Sequence, residues 1–443
     1  MQKIYNTLMN ASVLEASYPI TFQKNEAEKL GEYLCQRQCV NLVGMKRVGI
    51  SNFLRFFLNH KNIIPTYISA SDKHLFIPVD LNDLVEQEIY PFWTLTLKRI
   101  VDVSEQSDLS DEVKAKINDL FVKSIQFQDL FLVIDSIRHA LVLIGENGMA
   151  PTIFFLRFDR LKDKFNPSFF DNLQGLRDAT NGNLAYVFTS YRSLASVFQG
   201  ARTNLSVFSQ TLYAKPASDT DMHIVYDAYR ERYNISLNAE IEKAFFSAIG
   251  GYMQYLQLGL IHLNEMKLTE QKSQTEILET LLSDERIMLQ SEELWESLTA
   301  DEQMVLMRIV KGEKLDTDDH ERGKYLWDTG FLNGSAESPS LFSPLFASYI
   351  QQLDLEESKK KKTAHLTRKE HLLFTLLKEQ MGEIVERESI IEIVWPESQE
   401  FGVSDWAIDR LVARVRLKLR EQENPYEIQT IRTRGYKLTP LKI

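Results

Sequence analysis

The stretch NLVGMKRVGISNFLRFFL, residues 41–58, constrains this chain more than any other part of it. An apolar run of strand type ends in Gly44. Four residues later comes Gly49, and the amphipathic sequence ISNFLRFFL follows at once. A strand, a glycine-framed loop and a helix form the frame in which backbone N–H groups wrap an anion at a helix N-terminus. In a full phosphate-binding loop the second glycine is followed by a lysine for the β/γ-phosphates and then by a hydroxyl residue for Mg²⁺. Here those places are taken by Ile50 and Ser51, with Asn52 next. Lys46 and Arg47 carry charge inside the loop, away from the usual position of the ammonium group. The sequence therefore predicts the backbone of an anion cradle without its principal cation.

The surrounding residues supply a sheet for such a loop. FQKNEAEKLGEYLCQRQ (22–38) has a helical period, as does most of 85–146. LFIPVDLNDL (75–84), PTIFFLRFDRL (151–161) and NLAYVFTSYR (183–192) are short apolar runs of strand type. Strands alternating with helical segments predict an α/β domain with a mostly parallel sheet covered on both faces. At 443 residues, 44% of them hydrophobic, the chain has material for several cores. No segment offers the roughly 18 consecutive apolar residues of a membrane helix, and the N-terminus does not read as a secretion signal. Cys35 and Cys39 are too few for a disulfide framework, and without neighbouring His or Cys they predict no metal site. These features point to a cytoplasmic protein without a membrane partner.

Beyond residue 215 the strand signal fades. AEIEKAFFSAIGGYMQYLQLGLIHLNEM (239–266) is helical on each side of Gly250-Gly251, and 291–350 has the order of a small winged-helix-like module. The run LDLEESKKKKTAH (353–365) reads as a linker. The expected organisation is a P-loop-like α/β domain over 1–214, a helical lid over 215–285 and a central winged-helix-like module over 286–352. The linker at 353–365 then leads to a compact α+β domain over 366–443. Net charge is 51 − 62 = −11, yet residues 359–443 hold 17 Lys/Arg against 13 Asp/Glu. A basic tail on an acidic body is the charge pattern of a chain with one nucleic-acid-facing end.

The tail has more specific marks. Thr367 precedes Glu370 by three residues ahead of an apolar helix, a capping-box spacing. A second helix, SIIEIVW, is stopped by Pro396. A third, from about Ser404 to Arg420, places Leu411, Val415 and Leu419 on one face. Arg410 and Arg414 lie one turn apart elsewhere on it, and Arg416 is on a further face. YEIQTI and GYKLTP flank RTRG and form a basic hairpin. A helix with an arginine row beside a basic hairpin suits a major-groove helix with a wing on the DNA backbone.

Over 363–441 these residues resemble the effector domain of the OmpR/PhoB response-regulator family. The shared marks are LTxxE at 366–370, VW at 394–395, DxxxxRxRxKL at 409–419 and TIRTRGYKL at 430–438. The resemblance implies that Arg410, Arg414 and Arg416 occupy DNA-facing positions of the recognition helix. It places Thr430, Arg432, Arg434 and Tyr436 along the wing and its base. Leu411 and Ala413 stand where the family often carries polar or basic groups, which implies a different base-reading set. No receiver domain is legible in 1–350.

Residues 22–350 resemble the STAND and origin-recognition (AAA+) ATPases. The order that carries this resemblance is NLVGMKRVGISNFL, FIPVDL, FFLRFDRL, VFTSYR, GGYMQYL and a winged helix ending in FSPLF. In that group an apolar strand ends in D-x-x-D-x-L. Asp159 and Leu161 match the later positions, and the metal-orienting acid falls on Leu156, followed by Arg157. In the other register Asp159 is the metal-site acid and Arg160 follows it. Either register lacks the neighbouring catalytic acid. Thr189, Ser190 and Arg192 stand where the group has a polar sensor, with capping as the other reading.

The implied nucleotide site is Gly44, Lys46, Arg47, Gly49, Ser51, Asn52, Asp159 and Arg192. Losing a transition-state charge from phosphoryl transfer costs several kcal/mol, a rate loss of about 10³-fold or more. The expected protein is therefore not an ATP-hydrolysing enzyme. It holds either no cofactor or ATP/ADP without turnover, and its expected partner is double-stranded DNA, with a homo-oligomer left open. The expected function is transcription regulation, with the P-loop domain as the sensing or oligomerising body. The alternatives are an ATP-driven signalling switch or origin-binding loader, and a protein-interaction scaffold.

Overall fold

Five strands form one all-parallel sheet: β1 (Cys39–Gly44), β2 (Lys73–Asp80), β3 (Met149–Leu156), β4 (Ala185–Ser190) and β5 (Ser209–Ala214). Their order is β2-β3-β4-β1-β5, so the strand that feeds the glycine loop is hydrogen-bonded on both sides. All six residues of β1 and all six of β4 are buried, as expected of parallel strands covered on both faces. The computed structural model describes residues 13–68, 73–197, 209–233, 235, 237–266, 273–335, 337–359, 366–395, 405–421, 424–431 and 434–440. The chain divides into two units, one made of 1–284 and 300–346 and the other of 285–299 and 347–443.

In the first unit the helices α1 (Lys24–Cys35), α2 (Ile50–Asn59), α3 (Ile89–Gln106), α4 (Asp111–Phe127), α5 (Leu130–Glu146) and α6 (Pro167–Ala179) accompany the sheet. The α2 sequence buries Phe53, Leu54, Phe56 and Phe57 on one face, which orients the helix start at the end of β1. An aromatic core holds the other side. Phe92 of α3 lies 5.1 Å from Phe155 of β3, and Phe158 lies 4.7 Å from Phe188 of β4. β2, β3 and β4 fall on the three runs read as strands. β5 was not legible: SQTLYA is an edge strand with only Leu212 and Ala214 buried, so it lacks an apolar run.

The unit continues through α7 (Asp219–Tyr233), α8 (Ala239–Ile249), α9 (Met253–Glu265) and α10 (Gln274–Leu282). The next helix, α11 (Glu285–Glu296), is part of the second unit. The chain then returns to the first unit for α12 (Ala300–Val310), α13 (Thr317–Arg322), α14 (Lys324–Thr329) and a two-stranded hairpin of β6 (Leu332–Asn333) and β7 (Ser340–Leu341). The stretch 286–352 read as one central module is thus divided, with 300–346 in the first unit and its two ends in the second.

α15 (Pro344–Lys359) covers residues 353–359 of the stretch read as linker, which are therefore helical. The remaining linker residues, 360–365, lie outside the described residues. The second unit then holds α16 (Arg368–Glu379), β8 (Val385–Glu386), α17 (Arg387–Val394), α18 (Asp405–Glu421), β9 (Tyr426–Ile431) and β10 (Gly435–Pro440). β10 runs antiparallel between β8 and β9. The capping box forms as its spacing requires: Thr367 N–H donates to Glu370 Oε2 at 2.7 Å, and the Thr367 side chain accepts from Glu370 N–H. Leu411, Val415 and Leu419 of α18 join Leu373, Ile390 and Trp395 in one apolar cluster, and Leu289 of α11 packs into it as well.

Candidate functional site

At the head of β1 the loop is packed by its own apolar side chains. Met45 and Val48 are buried, and the Val48 N–H donates to the Met45 carbonyl at 3.2 Å, closing a turn within the loop. A Cβ on Gly44 would lie 3.0 Å from Val48 Cγ1 and 3.1 Å from Ile50 Cδ1. Methyl groups of Val48 and Ile50 therefore pack against Gly44 at the end of β1. The second glycine has φ +120°, and a Cβ on it would meet Met253 Cγ at 2.7 Å. The preceding residue, Tyr252, donates its hydroxyl to the Lys46 carbonyl. Tyr252 and Met253 belong to the GGYMQYL motif, whose order in the chain was legible but whose contact with the loop was not.

Charge near the loop is arranged unlike the sequence expectation. Lys46 Nζ lies 5.3 Å from the centre of the Tyr191 ring, just beyond β4. Burial pushes the Asp159 carboxyl up to about 6. Its own backbone N–H comes next, followed by Lys46, Lys162 and Arg160, all acting to lower it. Arg157, which follows β3 with φ +58°, pairs with the Asp80 carboxylate and donates its N–H to Thr189 Oγ1 at 2.7 Å. Thr189 is thus engaged in holding the end of β3. The Ser190 hydroxyl lies between Asn41 Oδ1 and the Arg192 carbonyl. Ser51 is exposed in the first turn of α2.

Gly44, Lys46, Arg47, Gly49 and Ser51 belong to this loop and helix start, and Lys46 acts on Asp159. Two other sequence candidates point elsewhere. Asn52 Nδ2 donates to Glu15 at 3.4 Å, beside the Arg55–Glu15 pair at 2.7 Å. Arg192 makes two 2.6 Å bonds to Glu302 of α12, and its guanidinium lies 3.8 Å from the Tyr325 ring centre. It braces the central module, because its charge is already consumed by a carboxylate that is itself buried. Among the described residues, His262, Glu265 and Asp284 bring metal-ligand types within 4.8 Å of one another. The two ring nitrogens of His262 lie 2.9 Å from Asp284 Oδ2 and 3.1 Å from the Thr280 carbonyl, so both already have protein partners.

In the second unit the three arginines of α18 divide between two flanks. Arg410 Nε lies 2.9 Å from Glu292 Oε1, and its Nη2 lies 2.6 Å from Glu296. Arg414 Nη1 lies 3.1 Å from Glu292 Oε2, with its Nε 3.5 Å from Glu370. Burial opposes the charge of Glu370, but Lys418, the Thr367 N–H and Arg414 outweigh it and hold the carboxyl below its ordinary value. Arg416 turns to the hairpin, donating to the Ile428 carbonyl and to Thr430 Oγ1, both at 2.8 Å. Ala413, Leu417 and Arg420 remain exposed on the outer face, Leu417 to 58%.

Two wing expectations change. Tyr436 is 1% exposed and donates its hydroxyl to Asp409, so it is a core residue and does not present its ring to a DNA backbone. Burial first, and then that hydrogen bond and the charge of Asp409, raise its phenol well above the ordinary value. Leu411 faces the apolar cluster, as its spacing with Val415 and Leu419 implies. Thr430 is exposed but holds Arg416. Arg434 is exposed at the turn, and Arg432 lies outside the described residues.

Residues 361–438 match the family of transcriptional regulatory protein C-terminal domains. The second unit carries a DNA-binding domain of that type. The transcriptional regulatory protein PcoR of Escherichia coli is 38% identical to this chain over 77 residues, which span 17% of this chain and 33% of that relative. Solved structures similar to the chain include the Walker-type ATPase paby2304 of Pyrococcus abyssi, with TM-score 0.46 and 16% identity over 76% of this chain and 100% of that one. The ORC2 protein of Aeropyrum pernix in its ADPNP–ADP complexes has TM-score 0.46 and 11% identity over 77% of this chain and 96% of that one. The ORC1 protein of the same organism in complex with DNA has TM-score 0.39 and 11% identity over 97% and 91%. No helix among the described residues is long and apolar enough to cross a membrane.

Two outcomes are expected from this geometry. The folded Asp159 carboxyl titrates near 6 against an ordinary 3.8. Its contribution to stability is therefore greatest below about pH 4 and is lost as the pH rises through 6. Asp159→Asn is expected to stabilise the protein by about 1–3 kcal/mol at pH 7 and by little at pH 4, read from thermal unfolding across that range. Arg192→Ala removes both hydrogen bonds from the guanidinium to the buried Glu302 and is expected to cost about 3–5 kcal/mol. The double change Arg192→Ala/Glu302→Ala is expected to recover much of that loss in a denaturant-melt cycle.

Proposed function

We propose that the protein is a DNA-binding transcription regulator whose P-loop body does not hydrolyse nucleotide. The regulator-type domain at 361–438, with the basic helix α18 beside the β9–β10 hairpin, is the observation that carries the DNA-binding half of this reading. A row of arginines one helical turn apart suits phosphate and base edges in a major groove, and an exposed hairpin arginine suits the backbone beside it. The body supplies a sheet, a closed glycine loop and a lid, which are parts of a two-state sensor and need no chemistry to act as one.

The packed methyl groups of Val48 and Ile50 support the loss of hydrolysis. With no cation in the lysine position, the charge that develops on a transferring phosphoryl group lacks its main partner. Ser51 and Asp159 keep one hydroxyl and one carboxyl for a Mg²⁺–nucleotide, so nucleotide held without turnover is the second reading of the same loop.

Purified full-length protein is expected to retain random-sequence duplex DNA with an affinity that falls steeply with salt. Arg420→Ala and Arg434→Ala should each flatten the log–log salt dependence by about one unit and leave thermal unfolding unchanged. Wild-type retention that ignores salt, or no retention at all, would sink the DNA-binding reading. With saturating Mg-ATP, turnover is expected at least about 10³-fold below the ~10 s⁻¹ of an ordinary enzyme. Turnover at the ordinary rate would restore the ATP-driven switch.

A further inference from the structure

We infer that α11 is an internal competitor for DNA, an acidic strap that occupies the arginine row of α18. The inference rests on the reading of α18 as a recognition helix. The α11 sequence, ERIMLQSEELWE, holds four acidic residues and one basic one. Glu292 and Glu296 stand one helical turn apart, as do Arg410 and Arg414. The two rows meet side chain to side chain. Glu292 bridges both guanidinium groups through its two oxygens, at 2.9 and 3.1 Å, and Glu296 takes the remaining edge of Arg410 at 2.6 Å. Lys369 of α16 adds a further contact, 3.2 Å to Glu285.

A guanidinium fork binds carboxylate and phosphate with the same planar geometry. A row of carboxylates at one-turn spacing therefore offers α18 what a DNA strand would offer, and the two cannot use the same N–H groups together. The packing gives the strap a fixed seat, because Leu289 lies in the apolar cluster with Leu373 and Leu411. Glu292 is only 14% exposed, so water does little to screen this pair.

Chain connectivity then makes the strap controllable. α11 is flanked by Asp284 and Ala300, both of which belong to the first unit. Any rearrangement of α10 or α12 pulls directly on α11. A signal received by the body thus has a covalent route to the arginine row without a separate linker.

The test compares three full-length proteins for binding to a labelled random-sequence duplex: wild type, Glu292→Gln/Glu296→Gln, and Glu379→Gln/Glu427→Gln. The last changes net charge equally at two exposed sites away from the row. The strap predicts about 10–100-fold tighter binding for the first variant and a salt slope steeper by about 2, the signature of two newly available phosphate contacts. It predicts less than about threefold change for the control. Equal gains in both variants mean a general charge effect and overturn the strap, as does unchanged binding in the first.

Absence of binding in all three proteins overturns the DNA-binding reading itself, and the strap with it. If Glu292→Gln/Glu296→Gln fails to fold, hydrogen exchange of the wild type decides. Faster exchange across 285–296 with saturating duplex supports release of the strap, and unchanged exchange with DNA bound overturns it.

Discussion

The position of β1 between β4 and β5 governs the candidate nucleotide site. Val40–Val43 pair with β4 and Cys39–Gly44 pair with β5, so Gly44 cannot move along the sheet without breaking two hydrogen-bond ladders. A Cβ at Gly44 would also lie 2.9 Å from the Ala214 carbonyl of the neighbouring strand. The glycine is needed for packing whether or not an anion ever binds. The same holds for Gly49, which combines φ +120° with Met253 pressed against its Cα. Glycines held by neighbours persist when a ligand is lost. Position 50 is not bound to be glycine, and it carries isoleucine. The frame and the chemistry of this loop are thus under separate physical control.

That separation explains what could be read from the sequence. Buried parallel strands announce themselves as apolar runs, and β2, β3 and β4 were legible for that reason. β5 escaped because an edge strand such as SQTLYA needs few apolar residues. The capping box of Thr367 and Glu370 and the apolar face of α18 were legible because their spacing is local. What stayed hidden was the pairing of charges far apart in the chain. Nothing around Arg192 predicts Glu302, and nothing around Arg410 predicts Glu292 and Glu296. A periodicity argument places an arginine on a helix face but cannot say which carboxylate will be opposite. Tyr436 shows the converse error: a residue in a hairpin motif was assigned to the surface, whereas its ring fills the core and its hydroxyl finds Asp409.

The charge bookkeeping of the second unit follows from burial. Arg410 and Arg414 are about two-thirds covered, and a guanidinium in that environment requires hydrogen-bond acceptors. Glu370 shows how tightly the set is balanced, since its carboxyl is held charged against burial by Lys418 and Arg414. Removing α11 from this set would leave two arginines short of partners, and a phosphate is an acceptor of the geometry that would restore them. The basic character of the tail is therefore a local property, which the chain's net charge of −11 conceals.

Exchange of carboxylate for phosphate at one arginine row is nearly neutral in hydrogen-bond count, so contact energy alone does not decide it. Two other terms do. DNA binding releases condensed counterions, which favours the duplex most at low salt. The carboxylates of α11, being tethered to α18 through the chain, compete at an effective concentration of about millimolar, whatever the protein concentration. A duplex must exceed that threshold before the row opens. The threshold falls if the flanking helices draw α11 away, and the control proposed above would then need no hydrolysis. On that reading, two arrangements that hold α11 differently are sufficient.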